Sequence, residues 1–169
     1  MNRVKKMYKC VLFDMDGTLV DSFTGIYHAY RWTLDKMGKA FHGETFVRSA
    51  IGASLPWVFG QLCGMAPDEI REAIAIYRTY YAEKGRYEVK VYDGMEGTLS
   101  RLRGAGCFLG TATLKKESFA KEMLKDLGLF PYFDLVCGMD ADDRLTKSDL
   151  IRGGMQHAGA AGSETVLVG

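Results

Sequence analysis

Two acidic side chains, Asp14 and Asp16, stand one residue apart directly after the apolar run Val11-Leu12-Phe13. The apolar run predicts a buried β-strand, and Gly17, which follows the acids, indicates that this strand ends at a tight turn. Carboxylates at the end of a buried strand are costly to desolvate unless a cation or a reaction requires them. In open α/β sheets, ligands bind at the carboxyl ends of the strands. The segment therefore predicts a chemical site at the end of the first strand.

The longer string Asp14-Met15-Asp16-Gly17-Thr18-Leu19 resembles the first motif of the haloacid dehalogenase superfamily of phosphohydrolases. A bare pair of aspartates occurs by chance, but the full string after an apolar strand is highly specific. The resemblance implies that Asp14 is a nucleophile that forms an aspartyl-phosphate and that Asp16 is the general acid and base. It also implies that Asp14 and Asp16, the latter through its backbone carbonyl, bind Mg²⁺, which offsets the repulsion between carboxylate and phosphate ester.

Two further motifs of the superfamily find matches later in the chain. The second motif is a hydroxyl at the end of the next core strand, where Thr113 is the better match and Thr111 is the alternative if that strand ends earlier. The third is a lysine at the start of a later helix, and Lys147 is the match. Its ammonium would neutralise charge on the nucleophile and on the transferred phosphoryl group. With backbone N–H groups included, the resemblance implies a phosphate-binding set of Met15, Asp16, Thr113, Leu114 and Lys147.

The superfamily places further acidic metal ligands directly after the strand that here reads Val166-Leu167-Val168. We therefore expect the third acidic Mg²⁺ ligand just after Gly169 in the intact protein. We also expect the final strand and closing helix of the core to follow, so that this chain lacks the C-terminal part of the core. Three earlier acids are interpreted as solvated turn residues: Asp140, Asp142 and Asp143.

The periodicity of apolar residues changes along the chain. Apolar residues recur at helical spacing over residues 18–92, whereas strands and helices alternate afterwards, which predicts a parallel sheet with helices on both faces. We predict an α/β fold in which a Rossmann-like parallel sheet core, residues 1–17 plus 93–169, carries an inserted all-helical cap domain, residues 18–92. The cap would close over the site and select the substrate. Five aromatic residues are predicted to serve as packing for the helical part rather than as a ligand-binding box: Trp32, Trp57, Tyr77, Tyr80 and Tyr81.

The composition is that of a globular protein with balanced charge. Lys and Arg total 22 against 21 Asp and Glu, and the formal net charge of +1 gives no support for a nucleic-acid or membrane partner. The four cysteines show no metal-ligand spacing and imply no disulfide, so a cytoplasmic location is expected. A monomer and a homodimer both remain open.

Cap segments 50–55 and 80–85 resemble those of phosphoglycolate phosphatase-like enzymes. The resemblance implies a Mg²⁺-dependent phosphatase that acts on a small phosphorylated metabolite similar to phosphoglycolate. One alternative is a sugar-phosphate mutase of the β-phosphoglucomutase kind, which shares the core motifs and the cap type. Another is a catalytically impaired binding module, if the protein truly ends at Gly169.

Overall fold

The computed structural model describes residues 8–169, and within them the chain forms two compact units. One unit comprises residues 8–19 and Val91–Gly169, and the other comprises Val20–Lys90. In chain order the strands and α-helices are β1 (Cys10–Phe13), β2 (Val20–Asp21), α1 (Phe23–Lys36), α2 (Gly43–Ala50), α3 (Leu55–Trp57), α4 (Pro67–Glu83), β3 (Lys90–Val91), α5 (Met95–Gly104), β4 (Phe108–Lys116), α6 (Glu117–Asp126), β5 (Leu135–Met139), α7 (Lys147–Ala158) and β6 (Thr165–Val168).

The first unit is built on a four-stranded parallel sheet with the strand order β5-β4-β1-β6. The residues of β1 are all buried, as expected for a central strand that has neighbours on both sides. Phe13, at the end of β1, lies opposite Thr111 of β4 and Val168 of β6. The prediction of an α/β fold with a parallel sheet is therefore confirmed.

Helix α7 packs very closely on the sheet. A Cβ atom on Gly154 would lie 2.7 Å from the side chain of Leu12, which is fully buried in β1. An alanine at this position would require the Leu12 side chain to move, so glycine permits the close approach of the helix to the strand. The close contact fixes the position of α7 above β1, and the first residue of this helix is Lys147.

Strand β4 is longer than the apolar pattern indicated. The apolar run ends at Ala112, but the strand continues to Lys116, with a shift in its pairing with β5 between these two residues. Such an irregularity bends a strand and redirects its side chains, and it commonly occurs beside functional sites. Thr113 therefore lies within the strand, in its irregular part, and not after the strand.

The second unit is helical and packs around aromatic rings. The buried ring of Tyr30 in α1 has its centroid 4.8 Å from that of Tyr77 and 5.3 Å from that of Phe46. A π-helical turn over Val58–Leu62 adds Phe59, whose ring centroid lies 5.7 Å from that of Tyr30. These edge-on and tilted contacts between rings stabilise the unit beyond the burial of apolar area alone.

The aromatic residues predicted to pack in the helical part differ in their burial. Tyr77 and Tyr81 are buried, whereas Trp32 and Trp57 are 45% and 47% exposed, so both tryptophans lie outside the buried aromatic core. Trp32 follows Tyr30 by two positions, and residues two apart on a helix point to different faces. The indole instead lies against Tyr80 near the surface, with the centroids 5.5 Å apart.

Among residues 8–169, no helix is both long enough and apolar enough to cross a lipid bilayer.

Candidate active site

Asp14 lies at the carboxyl edge of the sheet, directly after the central strand β1. Its backbone N–H donates to the carbonyl of Val168 over 2.9 Å, which continues the β1–β6 ladder by one residue. The side chain is 15% exposed, and its Oδ2 lies 2.6 Å from the Nζ of Lys147. Oδ1 accepts a hydrogen bond from the backbone N–H of Met15 over 2.7 Å. The carboxylate is thus fixed by its own turn and by a cation from another element.

Lys147 lies in the first turn of α7, and this helix begins with a complete capping box. The Thr146 hydroxyl accepts from the Asp149 N–H over 3.2 Å, and the Asp149 carboxylate accepts from the Thr146 N–H over 2.8 Å. This reciprocal pair defines where the helix begins. Hydrogen bonds from the hydroxyl and the backbone of Thr146, and then from Arg152, lower the pKa of Asp149 to about 2. The box remains ionised and intact throughout the neutral range.

Asp16 forms a second carboxylate–ammonium pair with a lysine that the sequence analysis missed. Its Oδ2 lies 3.1 Å from the Nζ of Lys115, and the side chains are only 10% and 6% exposed. Lys115 and Lys116 follow the apolar run of β4, and two adjacent lysines are typical of a solvated surface. The available signal was strand alternation, which places Thr113 and Lys115 on the same face if β4 continues.

The two candidate hydroxyls have different surroundings. The Thr111 hydroxyl donates to the Cys137 carbonyl over 2.9 Å, so it joins β4 to β5 inside the sheet. The Thr113 hydroxyl accepts from the N–H of Lys115 over 3.2 Å, and this hydrogen bond does not use the hydrogen of the hydroxyl. Thr113 therefore retains a donor for a phosphoryl oxygen. It lies two residues beyond the pair formed by Phe13 and Thr111, on the strand adjacent to β1, which Asp14 directly follows.

The remaining predicted residues, Met15 and Leu114, could contribute only backbone groups. Met15 is fully buried, and the Leu114 side chain packs against the apolar cluster between α7 and the sheet, which includes Cys10, Leu12 and Leu150. Their side chains therefore anchor the two strand ends. Both belong to segments that leave regular strand pairing, and the Met15 N–H donates to the Asp14 carboxylate rather than to a neighbouring strand.

The donor set at this edge suits Mg²⁺ by its chemistry. Mg²⁺ takes oxygen ligands and is often held by one or two carboxylates together with water and substrate oxygens. Asp14 and the carbonyl of Asp16 supply such oxygens. Within the described part of the chain, no group of three acidic, histidine or cysteine side chains could hold a metal. The backbone after β6 nevertheless passes beside the site, since a Cβ on Gly169 would lie 3.0 Å from the Cβ of Asp14.

Comparison with known proteins identifies the family. Residues 11–169 match the family model described as haloacid dehalogenase-like hydrolase. The chain belongs to the haloacid dehalogenase-like hydrolase family. The family resemblance inferred from the motif of Asp14 and Asp16 is therefore confirmed.

Individual relatives of this family member support the same assignment. The chain is 31% identical to a 5'-nucleotidase from Pseudomonas aeruginosa, covering 96% of this chain and 74% of the relative. It is 33% identical to a phosphoglycolate phosphatase from Aquifex aeolicus, over 78% of this chain and 61% of the relative. It also matches the crystal structure of a predicted phosphatase from Clostridium acetobutylicum, with 34% identity and a TM-score of 0.90 over 95% of this chain and 75% of that one. The chain thus spans about 60% of the length of some curated relatives.

Proposed function

We propose that the protein is a Mg²⁺-dependent phosphatase that hydrolyses a small phosphorylated metabolite, with Asp14 as the nucleophile. The observation that carries this proposal is the 2.6 Å contact between Lys147 Nζ and Asp14 Oδ2 at the carboxyl edge of a parallel sheet. A carboxylate that attacks a phosphate ester must approach an anion, so a cation in contact with it lowers the electrostatic barrier. The phosphatase and nucleotidase names of the relatives support the same class of reaction.

In the proposed reaction Asp16 enters in its protonated form. An oxygen of Asp14 forms a bond to phosphorus as the bond to the alcohol oxygen breaks, and Asp16 gives its proton to that leaving oxygen. Asp16 then takes a proton from the water that attacks the aspartyl-phosphate, which releases inorganic phosphate and restores Asp14. Thr113, Lys147 and the backbone N–H groups of Met15, Asp16 and Leu114 would hold the phosphoryl oxygens.

Asp14 and the Asp16 carbonyl would hold Mg²⁺, together with the acidic residue expected after Gly169. Mg²⁺ would supply positive charge that offsets the repulsion between the Asp14 carboxylate and the phosphate ester. Chelation is therefore expected to abolish phosphate release, and restored Mg²⁺ is expected to recover it.

The proposed substrate is a small phosphorylated metabolite similar to phosphoglycolate, handled in the cytoplasm. The relatives do not share one substrate in their names, because one is a 5'-nucleotidase and another a phosphoglycolate phosphatase. We propose that the helical unit, as a cap, makes the selection. A panel that contains phosphoglycolate, a nucleoside monophosphate and a hexose phosphate tests this directly. An isomerised sugar phosphate in place of released phosphate would instead indicate the mutase alternative.

The Asp14→Asn variant of the intact protein tests the reaction. It removes the nucleophilic charge while it keeps the size of the side chain, so release of p-nitrophenol from p-nitrophenyl phosphate should fall at least about a hundredfold. Asp142→Asn is the matched control, because Asp142 is an exposed acid that pairs with Arg144 in a loop. Equal activity of Asp14→Asn and Asp142→Asn would remove Asp14 from the nucleophilic role. An inactive intact parent protein would favour the binding-module alternative.

A further inference from the structure

The ion pair between Lys115 and Asp16 is more deeply buried than the pair between Lys147 and Asp14. The side chains of the first pair are 6% and 10% exposed, against 29% and 15% in the second. Removal of two charges from water is costly, and a buried pair alone is weak grounds for a gain in stability. The burial of Lys115 against Asp16 therefore requires an explanation other than stability.

The backbone that carries Lys115 is constrained from several sides. Lys115 lies in the stretch where the pairing of β4 with β5 shifts, and its N–H donates to the Thr113 hydroxyl over 3.2 Å. On the other side, a Cβ on Gly138 would lie 2.7 Å from the Lys115 carbonyl and 2.9 Å from the backbone nitrogen of Glu117. Gly138 thus allows β5 to lie close to this irregular part of β4. Because this part of β4 is held in place, the direction of the Lys115 side chain is fixed.

We propose that Lys115 is a positioning residue for proton transfer, acting through Asp16. By holding Oδ2 of Asp16, the ammonium prevents rotation of the carboxylate and so sets the direction of its other oxygen. In the proposed reaction the proton moves from Asp16 to the alcohol oxygen as the bond between that oxygen and phosphorus breaks. This inference rests on the proposed function. It assigns Lys115 a role separate from that of Lys147, which contacts the nucleophile.

A series of aryl phosphates separates this role from direct binding of the phosphoryl group. p-Nitrophenolate leaves readily without a proton, whereas phenolate depends more on the acid. The value of kcat/KM reports the steps up to release of the phenol. The ratio of kcat/KM for p-nitrophenyl phosphate to that for phenyl phosphate therefore measures how well Asp16 supplies its proton. The variants for comparison in the intact protein are Lys115→Met, Lys115→Arg, Asp16→Asn, the Lys115→Met/Asp16→Asn double variant and Lys121→Met.

We expect Lys115→Met to raise this ratio about tenfold, in the same direction as Asp16→Asn, because a misdirected acid most affects the poorer leaving group. The double variant should match Asp16→Asn alone, since residues that act as a unit are not additive. Lys115→Arg should recover part of the parent ratio because it restores a cation. Lys121→Met, which removes a lysine from an exposed ion pair with Glu117, should leave the ratio unchanged.

Three results would overturn the proposal. The first is an equal loss of kcat/KM for both esters in Lys115→Met. The second is a change in Lys115→Met that is confined to KM. The third is a double variant in which the effect of Lys115→Met on the kcat/KM ratio multiplies the effect of Asp16→Asn. If Lys115→Met does not fold, Lys115→Gln, which retains a polar end, replaces it in the same comparison. A failure of the proposed function is distinguishable, because the parent protein itself would then release neither phenol.

Discussion

Asp14 and Asp16 stand two positions apart, yet each contacts a lysine from a different part of the chain. Lys147 reaches Asp14 from a helix, and Lys115 reaches Asp16 from the adjacent strand. In the proposed chemistry, the negative charge of Asp14 must be compensated, whereas the carboxyl group of Asp16 must be held in one orientation. At the scale of the residue, the site therefore contains two carboxylate–ammonium pairs with separate proposed tasks.

Substitution of Lys147 by methionine is predicted to affect turnover strongly. The aliphatic part of the side chain is retained, but the cation beside the nucleophile is lost, so kcat/KM for p-nitrophenyl phosphate should fall about a hundredfold or more. Steady-state kinetics on the intact protein, with circular dichroism as the check on folding, measure the effect. Lys121→Met is the control. Activity that remains within about twofold of the parent would contradict the role of Lys147 in charge compensation.

At the scale of the element, the irregular part of β4 lies close to a glycine in β5, Gly138. Gly138→Ala would place a methyl group 2.7 Å from both the Lys115 carbonyl and the Cα of Glu117. We predict a loss of about 1–3 kcal/mol in the free energy of unfolding, because backbone atoms on both sides must move. Kinetic selectivity between phenyl and p-nitrophenyl phosphates should change as well, because Lys115 is displaced.

The matched control for this variant is Gly153→Ala in α7. A Cβ there meets nothing within 4 Å, so alanine should leave stability unchanged or raise it by up to about 1 kcal/mol through its higher helix propensity. Urea titrations of both variants give the comparison. Equal stability of Gly138→Ala and Gly153→Ala would show that the bend tolerates a side chain and that the close approach of β5 is unimportant.

The capping box of α7 gives a second prediction for an element. Thr146→Ala removes the hydroxyl that accepts from the Asp149 N–H, and it should cost about 1 kcal/mol of unfolding free energy. It should also lower activity, because the first turn carries Lys147. Ser148→Ala, an exposed position in the same turn, is the control and should be close to neutral in thermal unfolding. An identical melting temperature for both variants would contradict the capping role.

The same box predicts a dependence on pH. The pKa of Asp149 is lowered in the folded protein to about 2, so its ionised form stabilises the fold at pH values above the ordinary aspartate pKa. This contribution is lost as the pH falls from about 4 to about 2. The difference in stability between the parent and Asp149→Asn should therefore be constant at neutral pH and shrink across that window. A difference that already disappears near pH 6 would contradict the assignment.

At the scale of the whole molecule, the chain separates into a sheet-based unit and a helical unit with its own aromatic core. Tyr30 is buried among Phe46, Phe59 and Tyr77. Tyr30→Ala is predicted to cost about 3–5 kcal/mol, since a large buried ring leaves a cavity. Hydrogen-exchange mass spectrometry should show loss of protection over residues 20–90 first. Trp32→Ala, at a 45% exposed position, should change protection little. Equal losses in the two variants would contradict this description of the core.

The sequence predicted the sheet and the positions of Asp14 and Asp16 from an apolar run that ends at a glycine turn. It predicted the family and the place of Lys147 at the start of a helix from the resemblance to the superfamily's motifs. It did not predict the length of β4, since three of the four residues Thr113–Lys116 are polar and the segment resembles a loop until β5 pairs with it. Lys115 was missed for this reason, because a lysine is recognisable as buried only when its partner carboxylate is known. The roles of the site residues stay predictions.

The central step of the proposed mechanism is the formation of a covalent bond between Asp14 and phosphorus. Borohydride reduces an acyl phosphate, so quenching the intact, Mg²⁺-loaded protein during turnover should convert Asp14 to homoserine. Peptide mass spectrometry then reads position 14 directly. We predict homoserine at position 14 only when substrate is present, and none in Asp14→Asn. Steady release of phosphate with unmodified Asp14, or with the reduced residue at another position, would contradict the proposed mechanism.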